Sequence, residues 1–227
     1  MTERPGVKTA ALVRDLNSQG IDRMSLILRH SKRDYHPDVH MEPFMCLTEE
    51  GRNLAFELGA ALPENLSLSF FSSHIGRCIE TAYLIDKGFV ARTGGYTEHN
   101  QVTRTVAPFY VKDLVRVVDI VKTMDVFTFI RSWIDGKLSE DVLMNARDAA
   151  DKMLRFLAGG LRESDVNTLH VSVTHDWNIY LIKEFALGLP HESFGRIEYL
   201  EGVVLFEKDG KIHVANHQKD PVVLSLP

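Results

Sequence analysis

A chain of 227 residues with 44% hydrophobic and 25% charged residues has ordinary globular composition. That excludes a disordered tail, a collagen-like rod and a disulfide-knotted module. Its 26 Lys and Arg against 31 Asp and Glu give a formal charge of −5. The chain therefore lacks the basic surplus of a nucleic-acid binder, although a few converging arginines can still hold an anion locally. Cys46 and Cys78 are too few for a disulfide framework and form no C-x-x-C pair. Both are expected to be reduced and buried as small apolar groups. The polar opening Met1-Thr-Glu-Arg-Pro-Gly leads into no apolar leader-like run. No stretch of about 18 apolar residues predicts a membrane span, so the expected location is the cytoplasm.

Taken in chain order, residues 7–18 (Val7, Ala10, Leu12, Leu16) have the spacing of a short amphipathic helix. Residues 24–28 read as a strand. Thr48, with Glu49 and Glu50 behind it, opens a helix carrying Leu54, Leu58, Ala61 and Leu62 toward Pro63. Residues 68–71 are a second strand. A second helix runs from Cys78 to about Lys87, with Gly88 as its stop. Residues 91–110 are loop-like, and residues 112–160 are strongly helical. Within them, Asp113–Met124 carries Leu114, Val117, Val118 and Val121, Phe127–Ile134 continues the pattern, and Ser139 opens a long helix stopped at Gly159-Gly160. Residues 169–174 are a third strand, followed by a helix from Trp177 to Leu187. Residues 202–207 and 211–215 flank Lys208-Asp-Gly210, a hairpin signal. Alternating strands and helices predict a single three-layer αβα domain over residues 1–227, with a mainly parallel sheet. The hairpin adds an antiparallel C-terminal edge, and 112–160 forms a helical insertion or cap.

Ligands of such sheets lie off the carboxyl ends of the strands, which singles out residues 29–33, 72–77 and 174–178. Arg29-His30-Ser31-Lys32-Arg33 follows the first strand; read alone, it is a solvated basic loop or an anion-binding turn. Arg77 falls in the first turn of a helix, where a cation opposes the helix dipole. An anion held there would compensate, as would a salt bridge to Glu80, while Ser72 or Ser73 can cap the helix. His175-Asp176 follows the third strand, with Asp176 also suited to cap the next helix. Three equivalent strand ends carrying Arg, His or Asp favour a functional site.

Together these segments resemble the histidine phosphatase superfamily, which includes phosphoglycerate mutases and acid phosphatases. The resemblance rests on Leu28-Arg29-His30, Leu47-Thr-Glu-Glu-Gly-Arg52, Ser72-Ser73 with Arg77 and Thr81-Ala82, and Val173-Thr-His175-Asp176. These motifs occur in order over residues 24–178; residues 1–23 and 91–165 match none. One departure is Ser31, where the family has Gly. A glycine tolerates positive φ and close phosphate approach, whereas Ser31 adds a Cβ and a hydroxyl able to donate to phosphate.

The resemblance implies a metal-independent phosphatase without a cofactor, acting on a small phosphorylated metabolite or a phosphoprotein. His30 is then the nucleophile. A neutral imidazole approaches a phosphomonoester dianion without charge repulsion, and its other ring nitrogen stays protonated against a backbone carbonyl. Arg29, Arg77 and Arg33 clamp the phosphoryl oxygens, and His175 also contacts them. Asp176 is the favoured proton donor, with Glu98 as the alternative acid from mid-chain. A phosphoglycerate-type mutase and a catalytically weak phosphate-binding regulatory module are competing readings. A metal hydrolase on His36 and His40 is disfavoured, because no third ligand accompanies them at convincing spacing. Lys112, Arg116 and Arg131 are expected to lie on solvated helix faces.

Overall fold

The structure, a computed structural model, describes residues 3–97 and 99–226. Helix α1 (Val7–Ser18) leads into β1 (Arg23–Arg29), and after a short 3-10 turn at Val39–Phe44 comes α2 (Glu49–Ala60). Next are β2 (Ser67–Ser72), α3 (Gly76–Thr93) and a short strand β3 (Gln101–Val102). Helices α4 (Leu114–Thr123), α5 (Val126–Ile134) and α6 (Ala146–Glu163) precede β4 (Thr168–Thr174). The chain closes with α7 (Asp176–Ile182), α8 (His191–Phe194), β5 (Gly202–Lys208), β6 (Lys211–Asn216) and β7 (Lys219–Val223).

Among the described residues the strands form one seven-stranded sheet in the order β3-β2-β4-β1-β5-β6-β7. From β3 to β1 neighbours run parallel, and from β1 outward through β5, β6 and β7 they run antiparallel. The period-two geometry of strands divides the side chains between two cores. Met24, Leu26, Leu28, Leu169, Val171 and Val173 pack with Val13, Leu54, Leu58, Cys78 and Ile85 of α1, α2 and α3. Ile27, Val203 and Leu205 face the other way, against Phe129, Met153, Leu157 and Ile179. The expected three-layer αβα architecture is therefore present, with a parallel core and an antiparallel C-terminal edge.

Several elements differ from the sequence expectation. The antiparallel edge is three strands rather than a hairpin, and the loop-like stretch contributes β3. Gly88 does not stop α3. A Cβ there would sit 2.0 Å from the Phe56 carbonyl oxygen, so the glycine permits close crossing with α2. The helix ends instead at left-handed Gly94, with φ 67°. The helical stretch 112–160 divides into α4, α5 and α6 because side chains cap each start: Asp113 accepts from Arg116 N, Asp125 from Phe127 N and Thr128 N, and Asn145 from Arg147 N and Asp148 N. Ser139 heads a turn whose carbonyl accepts from Val142 N and Leu143 N, not the long helix. Helix α6 passes through Gly159-Gly160 because its buried face continues in Leu157, Ala158 and Leu161; packing overrides the local glycine preference. The helix after β4 widens into a π turn at Lys183–Leu187. Cys78 is buried as expected, but Cys46 is exposed, since it lies in the loop ahead of α2 rather than under a helix. Among the described residues no helix is long and apolar enough to cross a membrane.

Candidate active site

Sheet register brings the three strand ends to one place. Arg29 pairs with Thr174, and Ser72 with Val173, so β2, β4 and β1 end side by side. The backbone then locks the residues beyond: His30 N donates to Thr174 O (2.9 Å), and Ser73 N to Val173 O (3.0 Å). Residues separated by up to 145 positions become neighbours because parallel strands in register end in register.

His30 is 2% exposed. Its Nδ1 lies 2.8 Å from the Ser31 carbonyl oxygen, and its Nε2 accepts from Arg77 Nε at 3.0 Å. A carbonyl only accepts and a guanidinium only donates, so the partners assign the proton to Nδ1 and the lone pair to Nε2. Burial, reinforced by His175, Arg77 and Arg29, holds the imidazole well below its ordinary value of 6.5. The ring is neutral at physiological pH, with a lone pair directed to the guanidinium side.

Arg77 stands in the first turn of α3, whose N-terminus has no side-chain cap. It does not pair with Glu80, which instead accepts from Arg52 Nε at 2.6 Å. Burial lowers Arg77 from its usual value, while the neighbouring Glu42 raises it. Arg77 Nη1 donates to the Glu42 carbonyl oxygen (2.7 Å), and Nη2 lies 3.4 Å from Glu42 Oε1. The same Oε1 accepts from Arg33 Nη2 at 2.6 Å.

The His175 ring lies 5.6 Å from that of His30, nearly edge-on at 68°. Its Nε2 is 2.9 Å from Ser73 Oγ and 3.6 Å from Cys78 Sγ. Burial, then the Arg77 charge, pushes this imidazole down to about 3. Cys78 is pushed up to about 12, mainly by burial, so it is an unreactive thiol.

Arg29 reaches the same region from β1. Nη2 pairs with Asp176 Oδ2 at 3.1 Å, Nη1 donates to the Ile197 carbonyl at 2.6 Å, and the guanidinium carbon stacks 4.3 Å from the Tyr199 ring centre. That ring also lies 6.0 Å from His30. Leu200 holds a left-handed φ of 58°, a strained setting for a branched residue. Its N–H donates to the Arg29 carbonyl while its own carbonyl accepts from Thr9 Oγ1. Segment 197–201 thus wraps the Arg29 main chain and side chain together. Asp176 Oδ1 accepts from Trp177 N at 3.0 Å.

The remaining sequence candidates separate. The Ser31 hydroxyl, expected to face phosphate, donates to the Gly51 carbonyl at 2.6 Å, and its N–H donates to Thr81 Oγ1. The Leu-Thr-x-x-Gly-Arg motif explains this: Thr48 Oγ1 caps α2 from Gly51 N at 2.9 Å. A Cβ on Gly51 would lie 1.9 Å from the Lys32 carbonyl oxygen, so only glycine lets α2 buttress the loop after β1. Arg33 is brought to Arg77 through Glu42. Glu98 lies outside the described residues. His36 Nδ1 accepts from Asp38 N. Glu184, His191 and Glu192 cluster their ligand atoms, but Arg131 takes both carboxylates, at 3.0 and 2.6 Å. Arg131 is thus part of an ion-pair network rather than a solvated face. Buried Nε atoms of Arg29 and Arg33 have no hydrogen-bond partner among the described residues.

Sequence reasoning missed Glu42, Tyr199 and Ser73 on His175. Glu42 carried one signal, being an acid in the loop between two cation-bearing motifs. Tyr199 carried none, because its place follows from the turn before β5.

No family model and no curated protein matches the chain. Solved structures do. YhfR of Bacillus stearothermophilus has a TM-score of 0.60 at 19% identity, covering 85% of this chain and 95% of its own. A mycobacterial glucosyl-3-phosphoglycerate phosphatase has a TM-score of 0.54 at 19% identity, over 81% and 89%. A phosphoserine phosphatase of Entamoeba histolytica has a TM-score of 0.52 at 12% identity, over 89% and 95%. The chain has the histidine phosphatase fold, so the resemblance read from its motifs is borne out at the level of the fold.

Proposed function

We propose that this chain is a metal-independent phosphatase that hydrolyses phosphomonoesters through a phosphohistidine on His30. The observation that carries the reading is the pairing of His30 Nε2 with Arg77 Nε at 3.0 Å. It leaves a neutral nucleophile facing a cation that can turn to a phosphoryl oxygen. Two of the solved structures sharing the fold are themselves described as phosphatases of small phosphorylated compounds.

In the proposed cycle the Nε2 lone pair attacks phosphorus and the bond to the ester oxygen breaks. Arg29, Arg77 and Arg33 balance the charge on the transferring group, which is most of what phosphoryl transfer needs. As the dianion approaches, His175 gains a charge partner that favours its protonated form. Asp176, paired with Arg29 at 3.1 Å, is the acid that gives a proton to the leaving oxygen. Water then attacks phosphorus while the Asp176 carboxylate takes one of its protons, the bond from phosphorus to Nε2 breaks, and phosphate and neutral His30 are released. Glu98 is the other candidate acid.

On this reading the enzyme is a single domain with 112–160 as a helical insertion or cap. It works in the cytoplasm on a phosphorylated metabolite or a phosphoprotein. The test is turnover of phosphorylated metabolites, phosphopeptides and nitrophenyl phosphate, with and without EDTA. Activity that survives EDTA and disappears in His30→Ala is expected. Activity abolished by EDTA, or kept by His30→Ala, contradicts the proposal. Labelled phosphate found only in isomerised substrate, never free, assigns the chain to the mutases instead.

A further inference from the structure

Both terminal nitrogens of Arg77 are turned to one residue, and that residue is an acid. Nη1 meets the Glu42 carbonyl oxygen and Nη2 faces its Oε1, which also takes Arg33 Nη2. A carboxylate between two guanidiniums offers the charge and the oxygen acceptors that a phosphoryl group would offer. Glu42 sits in the short turn Val39–Phe44, on a segment whose Tyr35 and Phe44 are 80% and 70% exposed. A segment this poorly packed can leave without disturbing a core.

From this we infer that Glu42 is a built-in competitor for the phosphoryl site, an inference that rests on the phosphatase reading. Before an anion can use both guanidiniums, the Glu42 carboxylate has to release Arg33 and its 3.4 Å contact to Arg77, and the turn that carries it has to withdraw its main-chain carbonyl from Arg77 Nη1. The apparent dissociation constant of every anion is then raised by one common factor, the inverse of the fraction of molecules in which Glu42 is displaced. Tightly held phosphomonoesters remain bound at useful concentrations. Weak anions such as carboxylates and sulfate are pushed out of range. Glu42 thereby sets the affinity threshold of the site without touching the reacting atoms.

This makes a fingerprint that a direct substrate contact lacks. Removing Glu42 tightens all anions equally, whatever their shape. The experiment is calorimetric titration of inorganic phosphate and, separately, sulfate into the full-length wild-type protein, Glu42→Gln, Glu42→Ala and Arg77→Ala at constant ionic strength. Thermal melts show that each variant is folded. Both Glu42 variants are expected to bind phosphate about tenfold tighter than wild type, the scale of one charge-assisted contact, with the same gain for sulfate. Unchanged or weaker phosphate binding in both, or a gain for one anion only, overturns the role of Glu42. If Arg77→Ala still loses phosphate in that case, the anion site itself stands. Phosphate binding that does not depend on Arg77 removes the phosphatase reading and this inference with it.

Discussion

Arg77 Nε donates to His30 Nε2 at 3.0 Å, joining a residue of the first helical turn of α3 to one just past β1. This contact answers why a cation stands at the positive end of a helix. The guanidinium is held by an imidazole lone pair and by the carbonyl and carboxylate of Glu42, not by a neighbouring acid in its own helix. Helix-dipole opposition of roughly 0.3–1 kcal/mol is small against what the arginine can contribute to a transferring phosphoryl group.

Arg77 is therefore expected to matter through geometry as well as charge. Arg77→Ala should lower kcat by about 10²–10³, the worth of one preorganised donor. Arg77→Lys should recover little of this, because an ammonium cannot span His30 and a phosphoryl oxygen as a planar fork does. Steady-state kinetics on nitrophenyl phosphate check both; a fully active Lys variant would show that point charge alone suffices.

Asp176 is poised between Arg29 and the Trp177 amide. Asp176→Asn should lose turnover of alkyl phosphates and keep it on nitrophenyl phosphate, whose leaving group needs no proton. Equal losses on both substrates would move the acid to Glu98 or reduce Asp176 to holding Arg29.

Stability should fall on acidification. His175 titrates at 6.5 when unfolded but is pushed to about 3 in the folded chain. Between those values the unfolded state binds a proton that the native state does not, so stability rises with pH and is lost as pH falls from about 6.5 toward 3. The slope from this group is at most about 1.4 kcal/mol per pH unit, and His30, lowered in the same direction, adds to it. Urea midpoints at pH 7.5 and 5.5 should differ less in His175→Asn than in wild type. An equal difference would mean that His175 is protonated in the native protein.

Gly51→Ala should damage the site from outside it. With the Lys32 carbonyl 1.9 Å from the added methyl, α2 and the loop after β1 have to separate. The cost is about 1–3 kcal/mol or more by the usual scale of overpacking. Loss of phosphate binding should accompany the lowered urea midpoint, since Ser31 and Gly51 are hydrogen-bonded. A destabilised variant with full phosphate affinity would uncouple the two.

What was legible in the sequence follows from local physics. Strand ends carrying Arg29, Arg77 and His175 announced themselves because polar residues broke apolar runs, and parallel register then aligned them. Thr48 with two acids behind it marked a helix start correctly for the same reason. Gly88 misled because a glycine that ends a helix and one that admits a crossing helix look alike in sequence; only the Phe56 carbonyl beside it decides. Glu42 had only its place as an acid between two cation-bearing motifs to mark it, and Tyr199 had no mark at all. Their contacts to Arg77 and Arg29 arise from loop paths, and neither sits at a strand end or in a periodic pattern.

The central claim is tested most directly by rapid-quench labelling with a radiolabelled phosphomonoester, followed by peptide mapping. An acid-labile, base-stable phosphoryl group is expected on His30 and absent from His30→Ala. Label that never appears on the protein during turnover, or that maps to another residue, would contradict it.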